Sequence, residues 1–295
     1  MKKVRLYIPN VLLTILLVFL IMGSEATILA NRIGLHENTF YYLIEQRKLD
    51  EKGYESLTAY FTTRSNSTGI PENVFLDAFS ENDLRTAISS NAAQALAYLK
   101  GNRDTYEQEI DFTGLETSVN AFFSDYAEEN GVEKDEVYEE KVRSVLDEAE
   151  AQICIAADPF KFSTLQENGW LSKVRQAVSY LTTAMMICLG AGVLTLVLLI
   201  LCNLRQVEHL CYWIGLAGFT AGLLTCAPCI YLTASDFFSG FAIKDPQVFA
   251  AIVGFLKLLT SRCLTIAIIT LIVGAIGMAG FAFLRAVQRE DEEEA

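Results

Sequence analysis

Four apolar stretches, Tyr7–Ala30, Ala177–Leu204, Leu210–Leu232 and Cys263–Leu284, bracket one acidic block, Asn31–Ser172. Each stretch has about the 20 residues that a helix needs to cross a hydrocarbon core. No water reaches the backbone there, so a crossing segment must satisfy its own N–H and C=O groups, and a helix does this. The chain reads as an all-α membrane protein with four transmembrane helices and a helical extracytoplasmic domain between the first and second. Residues 1–30 form an N-terminal anchor, 31–172 the acidic helical domain, 173–287 a three-helix transmembrane region and 288–295 an acidic cytoplasmic tail.

The charge distribution supports this division. The whole chain carries a net charge of -13. Asn31–Ser172 holds about 27 Asp and Glu against about 12 Lys and Arg, so the negative charge is made in that block. Such a surface stays soluble and repels nucleic acid and anionic headgroups, which removes nucleic acid from the partners and leaves a solvated face, a cation site or a basic partner. Of seven cysteines only Cys154 lies in the block. A disulfide scaffold is excluded, and the domain must be held by buried helix faces.

Lys2, Lys3 and Arg5 precede the first stretch with no acidic residue among them, which places the N-terminus in the cytoplasm and the acidic block outside. Three further crossings return the C-terminus to the cytoplasm, with Arg205, Arg285 and Arg289 on that side. Lys173, Arg175, Lys244, Lys257 and Arg262 fall outside, so the bias is clean only at the N-terminus. Val11–Met22 followed by Ser24-Glu25-Ala26 also has the form of a cleaved signal peptide. Apolar character resumes through Ala26–Ala30, which favours an uncleaved anchor. Residues 246–260 are apolar but too short to cross, and read as an interfacial segment, a re-entrant one or an outward extension of the fourth helix. Asp245-Pro246 is a helix start, an N-cap followed by proline at the first helical position.

Within the block, Ser80-Glu81-Asn82-Asp83 has the form of a capping box. Leu84, Ala87, Ile88, Ala92, Ala95, Leu96 and Leu99 then recur at helical spacing until Gly101 stops the run. Phe112–Tyr126 carries Leu115, Val119, Phe122 and Phe123 on one face. Asp135–Ala157 carries Val142, Val145, Leu146, Ala149 and Ile153, with Pro159 beyond it as a breaker. Phe40–Phe61 is helical in composition and reads as a continuation of the first membrane helix. Thr62–Gly69 is polar and reads as a loop, and Pro71 opens a short helix ending near Phe79. Three amphipathic stripes suffice for a bundle.

Gly69-Ile70-Pro71-Glu72-Asn73-Val74-Phe75, Leu84, Ala97-Tyr98-Leu99-Lys100-Gly101 and Ile110-Asp111 together resemble the outer segment of uncharacterised bacterial multi-pass membrane proteins. Those proteins have an N-terminal anchor, a helical outer domain and later spans. The resemblance covers about the first two thirds of the chain and implies a bacterial cell membrane. It implies no activity.

Cys226-Ala227-Pro228-Cys229 is the sharpest chemical candidate, a CxxC pair at the outer end of the third stretch, as in a membrane thiol oxidoreductase passing electrons to a quinone. A reactive thiol needs a helix N-terminus or a nearby cation. This pair lies toward a helix C-terminus, whose dipole disfavours a thiolate. The competing account is packing, with Pro228 kinking the helix. Asp, Glu, Lys, Arg and His are absent from the interiors of the four stretches, with Glu25, His209 and Asp236 at edges. That argues against ion-coupled transport. Small residues recur instead: Gly215, Gly218 and Gly222 in the third stretch, Gly274, Gly277 and Gly280 in the fourth. Gly218 and Gly222 form a GxxxG step suited to close packing within the protein, or to self-association or a membrane partner.

The acidic run Glu128–Glu140 forms no calcium loop, since Ala127 stands at a ligand position and Asn130 at the required glycine. Two histidines, His36 and His209, supply no hydrolase triad, and no phosphate-binding glycine loop is present. Asn66-Ser67-Thr68 matches an N-glycosylation acceptor, which matters only in a eukaryotic secretory context. Nothing calls for a cofactor or a metal. The sequence predicts a non-enzymatic interaction, scaffold or sensor-accessory protein of the plasma membrane that acts through its outer domain on a membrane or envelope partner or on a second copy. The alternative is a thiol–disulfide oxidoreductase using Cys226 and Cys229.

Overall fold

The computed structural model describes residues 2–204 and 207–294. Arg205 lies outside them, and Lys2, Lys3, Arg5, Arg289 and the acidic tail at 288–295 lie outside the residues whose side chains are described. The described residues form α-helices α1 (Lys2–Leu29), α2 (Glu37–Arg47), α3 (Leu49–Thr68), α4 (Asn73–Leu76), α5 (Glu81–Leu99), α6 (Thr113–Asn130), α7 (Glu136–Ala156), α8 (Phe162–Glu167), α9 (Trp170–Asn203), α10 (Val207–Ala234) and α11 (Pro246–Glu294), with no strand among them. Four helical segments are long and apolar enough to cross a membrane: Tyr7–Gly34, Trp170–Asn203, His209–Ala234 and Pro246–Ala286.

The chain divides into two compact units. One, the helical domain, comprises His36–Gln176 with Ala242–Phe255; the other, the apolar bundle, comprises Met1–Leu35, Ala177–Phe241 and Leu256–Ala295.

In the helical domain, the start signals sit where local chemistry dictates. The Ser80 hydroxyl accepts from the Asp83 amide at 3.3 Å while the Asp83 carboxylate accepts from the Ser80 amide at 2.9 Å, a reciprocal box that satisfies two free donors at the head of α5. Asp135 caps α7 by accepting from the Tyr138 amide at 2.9 Å. Gly101 adopts φ +79 just past α5, and the Asn102 amide reaches back to the Ala97 carbonyl, so the helix ends where only glycine turns without strain. Leu49, Leu57, Phe61, Leu84, Ile88, Leu115, Val119 and Ile153 form a single buried core. The Phe61 and Phe75 rings stack at 4.5 Å within it.

Two expectations give way. Phe40–Phe61 does not continue the first membrane helix: α2 starts afresh at Glu37, with the His36 ring accepting from the Asn38 amide at 3.3 Å, and Lys48, left-handed with φ 50, divides α2 from α3. Thr62–Gly69 is not a loop, since α3 runs on to Thr68. Its polar side chains bond back onto the helix, Thr62 to the Thr58 carbonyl at 2.8 Å, Thr63 to Ala59 at 2.8 Å and Asn66 to Thr62 at 3.0 Å. Of the three readings of residues 246–260, the extension of the fourth helix is the one seen: α11 runs unbroken from Pro246, and its first ten residues belong to this domain. Asp245 caps them as anticipated, accepting from the Gln247 and Val248 amides at 2.9 and 3.1 Å.

The reason for that placement is Gln247. Its side chain is 3% exposed, and its amide nitrogen donates to the Leu49 carbonyl at 2.9 Å and the Ala156 carbonyl at 2.8 Å, tying α11 to the start of α3 and the end of α7. Gly53 makes room for it: a Cβ there would lie 2.4 Å from the Gln247 amide nitrogen. Val248, Ala251 and Val253 are buried on the same segment, and Phe255 stacks on Phe40 at 5.6 Å. The start of α9 is held similarly, with Arg175 over the Tyr98 ring at 4.6 Å and bonded to the Asp104 carbonyl at 3.3 Å.

In the apolar bundle, α1 packs along α10, with Leu17, Val18, Leu199, Trp213, Ala217 and Ala221 buried between the helices. Asn10 on α1 and Asn203 on α9 exchange amide hydrogen bonds at 3.1 and 3.0 Å, so each buried amide is satisfied by the other.

Candidate functional site

Three places in the two units hold the residue types that carry chemistry or recognition. The first is the glycine seam of the apolar bundle. A Cβ on Gly274 of α11 would lie 2.1 Å from the Phe219 nitrogen of α10, one on Gly222 2.6 Å from the Leu271 nitrogen, and one on Gly277 2.9 Å from the Gly215 Cα. Gly218 faces the Gly274 Cα at 3.3 Å. The two backbones are thus in direct contact, which only the absence of side chains allows. Gly280 is different, with nothing within 4 Å of a Cβ placed there.

The second place lies near that seam. Cys226 and Cys229 are 4% and 7% exposed on α10, which continues through Pro228 without ending. Cys226, Cys229 and Cys263 are all free thiols, so no disulfide joins the CxxC pair. Glu25 of α1 accepts a hydrogen bond from the Thr270 hydroxyl through Oε1, while its Oε2 is buried with no partner. Thr270 is seven residues into the stretch that starts at Cys263, about 10 Å along a helix axis. Glu25 is thus drawn into the bundle rather than left at its edge. Sequence spacing could not reveal this, because the two residues are 245 positions apart. No three His, Cys, Asp or Glu side chains among the described residues are grouped so as to hold a metal ion.

The third place is a groove of about 480 Å³ on the helical domain between α6 and α7. Glu116 and Asn120, one turn apart on α6, form one wall. Tyr138, Glu139, Val142, Arg143, Leu146, Asp147 and Glu150 of α7 form the other wall and the floor. Val142 is buried and Leu146 half-buried, so the floor is apolar while the rim carries four carboxylates and one guanidinium. Partial burial, then the neighbouring charges of Glu116 and Asp147, push the Glu150 carboxyl above its usual range. The same charges would relax it against a cationic occupant. Sequence reasoning treated these residues as a solvated face. The α6–α7 pairing, which no local pattern reports, turns that face into a groove.

Elsewhere in the domain the buried polar groups are spoken for. Asp158, 1% exposed, accepts from the Phe162 and Ser163 amides at 2.9 and 2.8 Å. Asn91 donates to the Ala157 carbonyl at 3.0 Å and accepts from the Tyr106 hydroxyl. Burial raises the Tyr106 phenol well above its ordinary value. Burial also raises the Cys154 thiol, which makes that thiol a poor nucleophile.

No family model, curated protein or solved structure matches this chain.

Proposed function

We propose that this chain is a membrane-anchored binding protein, without chemistry of its own, whose helical domain lies outside the cytoplasm and receives a cationic, partly apolar segment of an envelope or membrane partner. The groove between α6 and α7 carries the reading: its carboxylate rim and apolar floor suit a basic amphipathic helix, with charge setting the approach and the floor the affinity. The N- and C-termini are cytoplasmic in this reading, on the bias of Lys2, Lys3 and Arg5. The resemblance of Gly69–Phe75 and Ala97–Gly101 to bacterial membrane proteins favours a bacterial plasma membrane. A scaffold or sensor-accessory role follows from an outer binding surface on a membrane-anchored chain.

Two measurements test this. A Ser67→Cys variant in a background lacking Cys154 should label with a membrane-impermeant maleimide on intact cells, and labelling only after lysis would reverse the topology. The full chain in nanodiscs should bind a fluorescent leucine–lysine helical peptide but not its leucine–glutamate counterpart. A Glu116→Lys/Asp147→Lys variant should weaken that binding about tenfold. Equal binding by the parent and the charge-reversed variant would remove the groove from the function.

A further inference from the structure

We infer that Glu25, Thr225 and Thr270 form a binding site for one small monovalent cation of the sodium class, where α1 meets the α10–α11 seam. Among the described residues two buried side-chain oxygens have no hydrogen-bond partner, Oε2 of Glu25 and the Thr225 hydroxyl, and both belong to the apolar bundle. The seam brings them to one level. Gly215 meets Gly277, Gly218 meets Gly274 and Gly222 meets Leu271, so α10 and α11 run antiparallel in register. Thr225 follows Gly218 and Gly222 at helical spacing on α10, and Thr270 precedes Gly274 and Gly277 in the same way on α11. Thr225 is three residues past Gly222 and Thr270 directly precedes Leu271, so both stand within about 5 Å, one turn along the axes, of that contact. The Thr270 hydroxyl donates to Oε1 of Glu25, which brings the carboxylate from α1 to the same level.

The chemistry of the cluster selects the ligand. Thr14, Thr27, Thr195, Thr233 and Thr265 of the same bundle donate to carbonyls one turn back on their own helices. The Thr270 hydroxyl turns to Glu25 instead, and that of Thr225 bonds to nothing among the described residues. A carboxylate in an apolar bundle is costly unless its charge is matched. The bundle's ion pair among the described residues joins Lys257 to Asp236, and no cationic side chain is paired with Glu25. A water between Oε2 and Thr225 would satisfy both oxygens and leave the charge, whereas a cation satisfies both and cancels it. Carboxylate and hydroxyl oxygens are hard ligands that favour alkali and alkaline-earth ions over softer metals. One carboxylate balances one positive charge, and no group of three His, Cys, Asp or Glu among the described residues could hold a metal ion, so the ion is monovalent. It ties α1 to the α10–α11 pair and leaves the domain groove untouched, so the inference stands apart from the binding function.

The test follows Trp213 fluorescence during thermal unfolding of the full chain, carrying Trp170→Phe, in micelles at one total salt concentration, with sodium chloride exchanged for choline chloride. A ligand held only by the folded bundle raises the midpoint with the logarithm of its concentration, by about 4 °C per tenfold once the site is filled. That rise is expected with sodium, and Glu25→Gln, which keeps the shape and removes the charge, should flatten it. Thr225→Val, with a methyl in place of the hydroxyl, should move the rise to about tenfold higher sodium without changing its slope. Equal midpoints across the exchange, or a rise that persists in Glu25→Gln, overturn the inference. Should Glu25→Gln fail to fold, the Thr225→Val displacement takes its place, and a rise left where it was overturns the inference equally.

Discussion

The helical domain and the apolar bundle bury their helices by different means. In the domain, large side chains fill the interior, with Leu43, Leu49, Leu84, Ile88, Leu96 and Leu115 essentially inaccessible. The buried polar groups Asn91, Asp158 and Gln247 each have partners, and buried Asp50 accepts from the Arg85 guanidinium at 2.7 Å. In the bundle the tightest contacts are of glycines against the facing backbone, and one carboxylate oxygen, Oε2 of Glu25, is left without a partner. Water drives the first arrangement, because burying a leucine removes apolar surface from it. A helix surrounded by lipid gains little by exchanging tails for leucines, so close approach of backbones and interhelical hydrogen bonds take over.

The sharpest way to break this contrast is to add volume at the seam. Gly274→Leu places a side chain where a single Cβ already meets the Phe219 backbone, and should destabilise the bundle by about 3 kcal/mol or prevent its assembly. Gly280→Leu, with open space around it, should be close to neutral. The chain has two tryptophans, Trp170 in the domain and Trp213 in the bundle, so single-tryptophan variants follow each unit separately during thermal unfolding in micelles. Gly274→Leu should lower the Trp213 transition and spare that of Trp170. A common shift of both would mean that the two units do not unfold independently.

Next in size is Gln247→Leu, which removes two hydrogen bonds and leaves the Leu49 and Ala156 carbonyls without that donor, at a cost of about 2 kcal/mol. The loss should appear in the Trp170 transition. Gln247→Glu should cost more, because a carboxylate would face two carbonyl oxygens. A neutral Gln247→Leu would show that α11 is held in the domain by its apolar contacts alone.

These two sites also mark how far the sequence could be read. The four apolar helices, the capping box at Ser80 and the start at Asp245-Pro246 were legible because each is a local pattern with a local cause. The true environment of Pro246–Phe255 was not. An apolar run of that length suits a membrane surface as well as a protein core, and the deciding bonds join Gln247 to residues 198 and 91 positions away. Thr62–Thr68 was misread for the opposite reason: polar composition suggests a loop, yet hydroxyls and amides that bond to the preceding turn extend a helix equally well. The small-residue positions at 218, 222, 274 and 277 could be picked out by type. Whether they meet each other or another chain depended on the pairing of α10 with α11.

The smallest effect separates two carboxylates on α7 that have opposite signs. The Tyr60 hydroxyl donates to Glu148 at 2.7 Å, and with Arg64 also bonded to it the carboxyl is held below its ordinary 4.5. A depressed folded-state value means that stability is present above the unfolded value and is lost as pH falls through the folded one. Glu148→Gln should therefore cost less than about 1 kcal/mol at neutral pH, since the Glu148 side chain is 37% exposed and solvent screens the pair. That difference should fade below pH 4.5. Glu150, raised by burial and by Glu116 and Asp147, runs the other way: its ionisation opposes folding as pH rises above the unfolded value. Glu150→Gln should then stabilise the domain slightly at neutral pH and leave it unchanged in acid. Denaturant midpoints from pH 3 to 8 measure both (an interval of about 1 unit suffices), and a shift of the same sign in the two variants would refute the assignment of Glu150 to a crowded carboxylate groove.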